Sequence, residues 1–402
     1  MQTKHQLNID RYIARPIAWG LNFAVRVVGQ ILSLDHSLEK DFKNIAVCKF
    51  KGMGSIIQAT PMLAALRQKY PEAQITFVST LSNKAVLDKI DLIDRVVVVD
   101  DSGLWKLLKS NFKALTSLVK NRPDVYFDLE IYSHYSVIFT ALTLSQNRIG
   151  FYLRSGTYRM GIYTHMMFYN PQVPISKVYM QLAQLLGCNE SVPPLYRLVG
   201  QLPVGFDKTN YMVVNPNASD LRLERRWSKE NFFELIKIIA RRTPELNIYL
   251  IGSSAERAHV AKIADELKEF PQVVNIAGET SISELIAIID HAKFMVSNDT
   301  GPMHMAFSTG TPVVCLFGPC SPNQYGNFKN ARIIYKRVYC SPCVHEFEEP
   351  PCKGNNVCMQ LIEIQDVVKG IDDLLSNENE GRSERDKIYY RGDNDVLGKV
   401  HR

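Results

Sequence analysis

Near the start of the chain the apolar positions recur with a helical step. Ile13, Ile17, Leu21, Ala24, Val28 and Ile31 fall on one side of a helical projection, and Arg11, Arg15, Asn22, Arg26 and Ser33 share another. The spacing predicts a basic amphipathic helix over 13–34, with Pro16 tolerated in its first turn. An arginine near its middle suits a helix lying in the plane of a membrane better than one crossing it. The same two-faced pattern also serves a helix packed on its own protein, so both readings stand at this point.

From Ile45 the pattern changes to short β-branched runs alternating with helical ones. Strands are expected at 45–49, 74–78, 96–99 and 125–130, with helices at 55–69 and 105–120. A second cycle follows the proline-rich stretch Pro193 to Pro203, read as the linker. It places strands at 211–215, 247–251, 273–276, 294–297 and 312–317, and helices at 229–240, 255–267, 282–291 and around His304. Strands alternating with helices give parallel sheets covered on both faces. The expected architecture is α/β, with two Rossmann-like, doubly wound domains facing across a cleft and ligands at the carboxyl ends of the strands. The divisions are an N-terminal helix at 1–38, a first domain at 39–200, a second at 201–376, and a charged, apolar-poor tail at 377–402 expected to be mobile.

Composition adds limits. A chain of 402 residues exceeds the usual single core, and 46% hydrophobic with 22% charged residues is ordinary for a globular enzyme. A net charge of +6 fits a phosphorylated substrate, an anionic membrane or nucleic acid. A nucleic-acid binder is disfavoured because there is no RNP-like aromatic motif, helix-turn-helix or paired zinc finger. Cys48, Cys188, Cys315 and Cys320 sit in or beside apolar runs and read as reduced core thiols in a cytosolic compartment, and no secretory signal is visible.

Three strand ends carry chemistry. In Met295 to Ala306 a strand is followed by Asn298-Asp299-Thr300-Gly301-Pro302-Met303-His304, and a helix begins near Pro302. Backbone N–H groups at that start, with the Thr300 hydroxyl and the permissive backbone of Gly301, suit a diphosphate, and His304 lies one turn in. The plain alternative is that Asp299 caps the helix and His304 is a surface histidine. Lys51-Gly52-Met53-Gly54-Ser55 is a glycine turn between strand and helix, though Ile57 stands where a full G-x-G-x-x-G needs its last glycine. Asn215-Pro216-Asn217-Ala218-Ser219 precedes Arg222, Arg225, Arg226 and Trp227, whose guanidinium forks suit diphosphate oxygens. A solvated basic loop is the competing reading.

Thr60-Pro61, Arg225-Arg226-Trp227, Ile251-Gly252 with Glu256, Ile276-Ala277-Gly278, Asp299 to His304 and Phe317-Gly318-Pro319 occur here in the order found in glycosyltransferase family 9. The resemblance runs from about Ile45 to Ile364. It implies a GT-B fold and an inverting, metal-independent transfer from a nucleoside-diphosphate sugar, with no further cofactor, to a lipopolysaccharide-core or similar glycan at the inner face of the cytoplasmic membrane. By position, Arg225 resembles the diphosphate-gripping base and Glu256 the acid on the donor ribose. Asp299, Thr300, Gly301 and His304 resemble the phosphate and sugar contacts.

One position departs. After the second glycine of the first turn the family carries an aspartate that serves as a candidate general base, and here it is Ser55. Serine alone cannot act as that base near neutral pH. Glu130, in Val125 to Ser136, is the first replacement candidate, because burial would raise its pKa toward the working range. His134 is the second. A structural pairing of Glu130 with Arg148 or Arg154 is the alternative. A non-catalytic nucleotide-sugar binder and a nucleotide-sugar epimerase are the rival functions, the latter opposed by the Asp299-to-His304 order and by Cys340, Cys343, Cys352 and Cys358. Those four thiols could hold a structural metal, although only Cys340-x2-Cys343 has tight zinc spacing; reduced thiols or a local disulfide are the other outcomes.

Overall fold

The β-branched runs form two six-stranded sheets in which every pairing is parallel. The structure, a computed structural model, describes residues 8–153, 156–189, 191–206, 209–218, 222–326, 328–344 and 351–381. They divide between Pro193 and Pro194 into two units. Of the expected charged tail, residues 382–402 lie outside the described residues.

The first unit contains β1 (Asn44–Cys48), β2 (Gln74–Thr80), β3 (Arg95–Val99), β4 (Val125–Asp128), β5 (Asn147–Tyr152) and β6 (His165–Phe168), in the order β3-β2-β1-β4-β5-β6. The second contains β7 (Tyr211–Asn215), β8 (Asn247–Leu250), β9 (Val273–Asn275), β10 (Met295–Asn298), β11 (Val313–Phe317) and β12 (Ala331–Tyr335). Its order, β12-β11-β10-β7-β8-β9, is the same winding read from the other edge. In each sheet the chain starts in the middle, runs to one edge and returns to build the other. The reversal falls between β1 and β4, and between β7 and β10.

The longer helices are α1 (Arg15–Leu32), α2 (Thr60–Lys69), α3 (Leu104–Lys120), α4 (His134–Leu142), α5 (Ile175–Gln184), α6 (Lys229–Arg242), α7 (Arg257–Asp265), α8 (Ile282–Asp290), α9 (Gly301–Thr309) and α10 (Ile364–Gly381). The single helix expected over 55–69 is split: a short helix, Met53–Gln58, ends before α2. Pro61 has no N–H to bond the carbonyl of Ile57, which accepts the Thr60 hydroxyl at 2.7 Å instead. The expected strand 125–130 is shorter, because Glu130 N–H turns back to Asp128 Oδ1 at 2.9 Å and ends β4.

Each unit has its own core. In the second, Met212, Val214, Ile248, Leu250, Val296 and Leu316 meet Trp227 and Phe232, and α10 returns Val367 and Ile371 to the same cluster. Trp227 is fully buried and its indole N–H donates to Ile362 O at 2.9 Å, so the ring fills the core without an unsatisfied donor. In the first unit Cys48, Phe50, Val78, Val97, Val99 and Tyr126 pack with Phe139.

The α1 helix packs in the opposite sense to its pattern. Its buried positions are Ala18 and Asn22, while Ile17, Trp19, Phe23, Val28 and Ile31 are exposed. Asn22 Nδ2 donates to the carbonyls of Tyr158 and Met160, and Arg26 Nη2 to Met160 O at 2.9 Å. The helix is thus fastened by its small and polar face.

Candidate functional site

Where a doubly wound sheet reverses, the loops leave its carboxyl edge in opposite directions and open a crevice. In the second unit the polar strand ends lie at that reversal. Asn215, the last residue of β7, donates from Nδ2 to Ser297 Oγ at 3.0 Å and to Thr300 Oγ1 at 2.6 Å. Asn217 Nδ2 donates to Ile251 O at 2.8 Å, and Asn298 Nδ2 to Asn217 O at 3.0 Å. Three carboxamides therefore tie the ends of β7, β8 and β10 into one rigid edge. Gly252 lies against it, and a Cβ there would stand 2.7 Å from Asn217 Nδ2.

The α9 helix starts from this edge. Its N-cap is Thr300, extended at φ −150°, and no side chain caps the helix. Asp299 does not serve as the cap. Its carboxylate faces Arg225, Nη1 to Oδ2 at 3.4 Å, and His304, Nε2 to Oδ1 at 3.9 Å, and the Cys320 thiol hydrogen-bonds to it. Asp299 Oδ2 and Arg225 Nε are buried without a hydrogen-bond partner, so the 3.4 Å approach is a charge contact rather than a formed bond. Buried polar atoms in that state are uncommon, and a bound polar ligand is one way to satisfy them. The Arg225 side chain keeps 21% exposure, which leaves the guanidinium reachable.

His304 is not the surface histidine of the plain alternative; its side chain is 5% exposed. Burial lowers its pKa to about 4, with Asp299 opposing and Arg225 assisting, so the ring is neutral at pH 7. Glu256 stands between β8 and α7, where its Oε2 accepts Ser253 N–H and Oγ–H, each at 2.8 Å. Arg222 and Arg226 donate to the carbonyls of Val344 and Ala218. Ser219 lies outside the described residues.

In the first unit the glycine turn follows β1. Gly52 has φ +88°, a conformation open to glycine, and starts the short helix that carries Gly54 and Ser55. Glu130 is buried beneath this turn and accepts Lys49 Nζ at 2.8 Å, Phe50 N–H at 2.8 Å and Lys51 N–H at 2.9 Å. The expected rise in its pKa is therefore reversed: burial pushes it up, but the charge and hydrogen bond of Lys49 and the bond from Lys51 hold it below the ordinary value. The expected arginine pairing is also replaced. Arg148 donates to Ser145 and Ile162 carbonyls, Arg154 lies outside the described residues, and Lys49 is the partner. Ser55 hydrogen-bonds to Tyr179 of α5.

His134 begins α4. Its Nδ1 lies 2.9 Å from Asp10 Oδ2, and Asp10 also accepts the N–H groups of His134 at 3.1 Å and Tyr135 at 2.7 Å. The ring stacks on Tyr158, centroids 4.3 Å apart. Burial raises the Asp10 pKa, yet these bonds and His134 bring it below the ordinary value. A carboxylate on Nδ1 fixes the imidazole and leaves Nε2 as the basic nitrogen.

Lys49, Tyr179, Asp10 and Cys320 complete these arrangements and were not legible as site residues. Asp10 precedes His134 by 124 positions, and no local spacing connects them. Asp128, two residues before Glu130, is fully buried and accepts the Tyr163 hydroxyl at 2.5 Å.

Cys340, Cys343, Cys352 and Cys358 are all free thiols, so a local disulfide is not formed. Cys343 N–H donates to Pro319 O at 2.9 Å. Burial pushes the Cys358 thiol up to about 11, with Cys343, Cys340 and Cys352 adding to the rise. Among the described residues no group of three His, Cys, Asp or Glu is arranged to hold a metal.

Known proteins with similar sequences and folds were found. Residues 177–353 match glycosyltransferase family 9 (heptosyltransferase). The chain is 22% identical over 345 residues to the lipopolysaccharide core heptosyltransferase OpsX of Haemophilus influenzae, covering 81% of this chain and 95% of that one. Among solved structures, E. coli ADP-heptose lps heptosyltransferase II superposes with TM-score 0.67 at 20% identity, over 84% of this chain and 99% of that one. E. coli heptosyltransferase WaaC with ADP superposes with TM-score 0.65 at 18% identity, over 82% and 99%.

Proposed function

We propose that the chain is a family 9 glycosyltransferase of GT-B type that transfers a heptose or similar sugar from a nucleoside-diphosphate sugar to a lipopolysaccharide-core acceptor. In this reading residues 201–376 take the donor and residues 39–200 the acceptor. The observation that carries it is the uncapped start of α9 beside Arg225, at the reversal of the second sheet. A helix start and a guanidinium together suit a diphosphate, and ADP, the ligand of the WaaC structure, is the first nucleotide to try.

The roles follow from the contacts. Arg225 and the Gly301 N–H at the start of α9 take up the charge that develops on the leaving diphosphate, Pro302 having no N–H and Met303 N–H being bonded to Thr300 O, and this supports a metal-independent transfer. Asp299 orients Arg225 and His304. Neutral His304 can donate one hydrogen bond to a phosphate or sugar oxygen without adding a buried charge. Glu256, already held by Ser253, presents its other oxygen to the donor ribose. With inversion, the acceptor oxygen attacks the anomeric carbon as the bond to the phosphate oxygen breaks, and a base takes the acceptor proton. Glu130 is buried and held by Lys49 and two N–H groups of the glycine turn, and Ser55 is no base, so that proton goes to His134 Nε2 with Asp10 steadying the ring.

The acceptor also gives a reason for membrane contact. Among the described residues no helix is long and apolar enough to cross a membrane. Residues 11–34 instead present the outward apolar face of α1 to the inner leaflet. The test is a thermal-shift screen of nucleoside diphosphates, followed by transfer from ADP-heptose to a truncated core acceptor. A ligand that binds only the folded state raises Tm. Stabilisation by ADP that is lost in Arg225→Ala is the expected result, and no response to any nucleoside diphosphate overturns the reading.

A further inference from the structure

The α3 helix has a wider apolar face than its core needs. Ala114 and Leu118 are buried, and Leu107 and Leu115 pack on the β1–β4 cluster. Beside that stripe, at steps of four, Leu104, Leu108 and Phe112 point outward, and Trp105 lies next to them on the helical projection. Trp105 is 83% exposed and Phe112 73%. Lys106, Lys109, Lys113 and Lys120 fall on the neighbouring sector, and the helix carries no acidic residue, although Asp100 and Asp101 precede it.

Two hydrogen-bonded links bring this face into relation with α1. Tyr135, in the first turn of α4, donates its hydroxyl to Asn111 of α3. The same turn is capped by Asp10, at the head of the α1 segment. Both outward apolar helices are therefore fastened to the start of α4, where His134 sits.

We propose that α3 is a second membrane-docking element, which with α1 forms a surface for an anionic phospholipid bilayer. A sector of lysines flanking exposed Trp and Phe matches the interface, where aromatic rings sit at headgroup depth and cations meet anionic lipid. The charge selects this occupant, since an uncompensated lysine row disfavours a second copy of the same face. The proposal rests on the membrane reading of α1 given above, and it places the acceptor-activating end of the first unit against the surface that carries a lipid-linked acceptor.

The full-length protein is sedimented with vesicles of phosphatidylethanolamine and phosphatidylglycerol, and with phosphatidylcholine vesicles as the uncharged control. Trp105→Glu/Phe112→Glu and, separately, Phe23→Glu/Ile31→Glu are compared, with Tm and nucleotide binding as controls for folding, because all four side chains are exposed. The expected result is that the α3 variant loses vesicle binding at least tenfold with Tm unchanged, and that Lys106→Gln/Lys109→Gln/Lys113→Gln removes the preference for anionic vesicles. Wild-type binding by the α3 variant overturns the proposal even if the α1 variant fails to bind. Loss in the α3 variant alone keeps α3 as a docking element but overturns the shared surface with α1 and, with it, the membrane reading of α1. A change of oligomeric state in the α3 variant, with vesicle binding intact, assigns the face to a second copy and also overturns it.

Discussion

Glu130→Gln separates an anchor from a base. In the structure the carboxylate holds Lys49 Nζ and two backbone N–H groups of the glycine turn, and the Lys49 and Glu130 side chains are 8% and 10% exposed. Glutamine keeps one oxygen for the N–H groups of Phe50 and Lys51 but leaves the Lys49 ammonium buried without its counter-charge. Breaking a buried pair from one side costs about 3–5 kcal/mol. At about 2–4 °C per kcal/mol for a unit of 150–250 residues, this predicts a Tm lower by about 6–20 °C. Lys49→Met/Glu130→Gln removes the stranded charge and should recover more than half of that loss, a coupling that calorimetry on the four proteins of the cycle measures directly. The pH dependence has a defined sign. The Glu130 pKa is lowered by folding, so its stabilisation is present above the unfolded carboxylate range and is lost as pH falls through the folded value. If Glu130→Gln melts with the wild type and loses turnover at unchanged KM, the carboxylate acts as the base and the anchor reading is wrong.

Three further outcomes are expected. His134→Ala should lower kcat by about 10²–10⁴ with donor KM unchanged, and Asp10→Asn by less, in single-turnover transfer assays; a normal rate in His134→Ala rejects it as the base. Gly252→Ala puts a methyl 2.7 Å from Asn217 Nδ2, 3.2 Å from Val260 and 3.3 Å from Ala277, and should cost about 1–3 kcal/mol in denaturant unfolding while weakening nucleotide binding. The pKa of His304 falls from 6.5 to about 4 on folding, so the unfolded chain binds the extra proton between those values and stability falls as pH drops through that window, by up to about 3 kcal/mol. His304→Gln should flatten that slope, and ADP, whose phosphate favours the protonated ring, should reduce it in the wild type; an unchanged slope in His304→Gln refutes the assignment.

The second unit was easier to read than the first. Strands β7 and β10 end in Asn215 and Asn298, and Arg225 and Asp299 lie in the polar segments that follow, so spacing drew attention to both, whereas Gly252 came only with the family resemblance. The first unit is built from distant partners. Lys49 and Glu130 are 81 positions apart, and a lysine ending a strand run gives no sign that it is buried. The pKa of Glu130 was misjudged for that reason, since burial raises a carboxyl only when no cation comes with it. The α1 helix shows a further limit: its two-faced pattern was plain, but which face turns inward depends on Tyr158 and Met160, whose carbonyls take Asn22 and Arg26. Strands β5 and β6 and helix α5 lie in the stretch after Glu130, where no element was expected beyond the fourth strand.

That fastening bears on how the protein should be handled at the bench. Outward Phe23 and Ile31 make it prone to stick to surfaces and to itself, so mild detergent during purification should keep it dispersed. Cutting the segment away would not be a clean remedy. It would strip the carboxylate from His134, leave the first two N–H groups of α4 without the acceptor Asp10 gives them, and bare the carbonyls that Asn22 and Arg26 cover. Polar substitutions at Phe23 and Ile31 leave every one of those bonds in place, and give a soluble enzyme whose first unit is still whole.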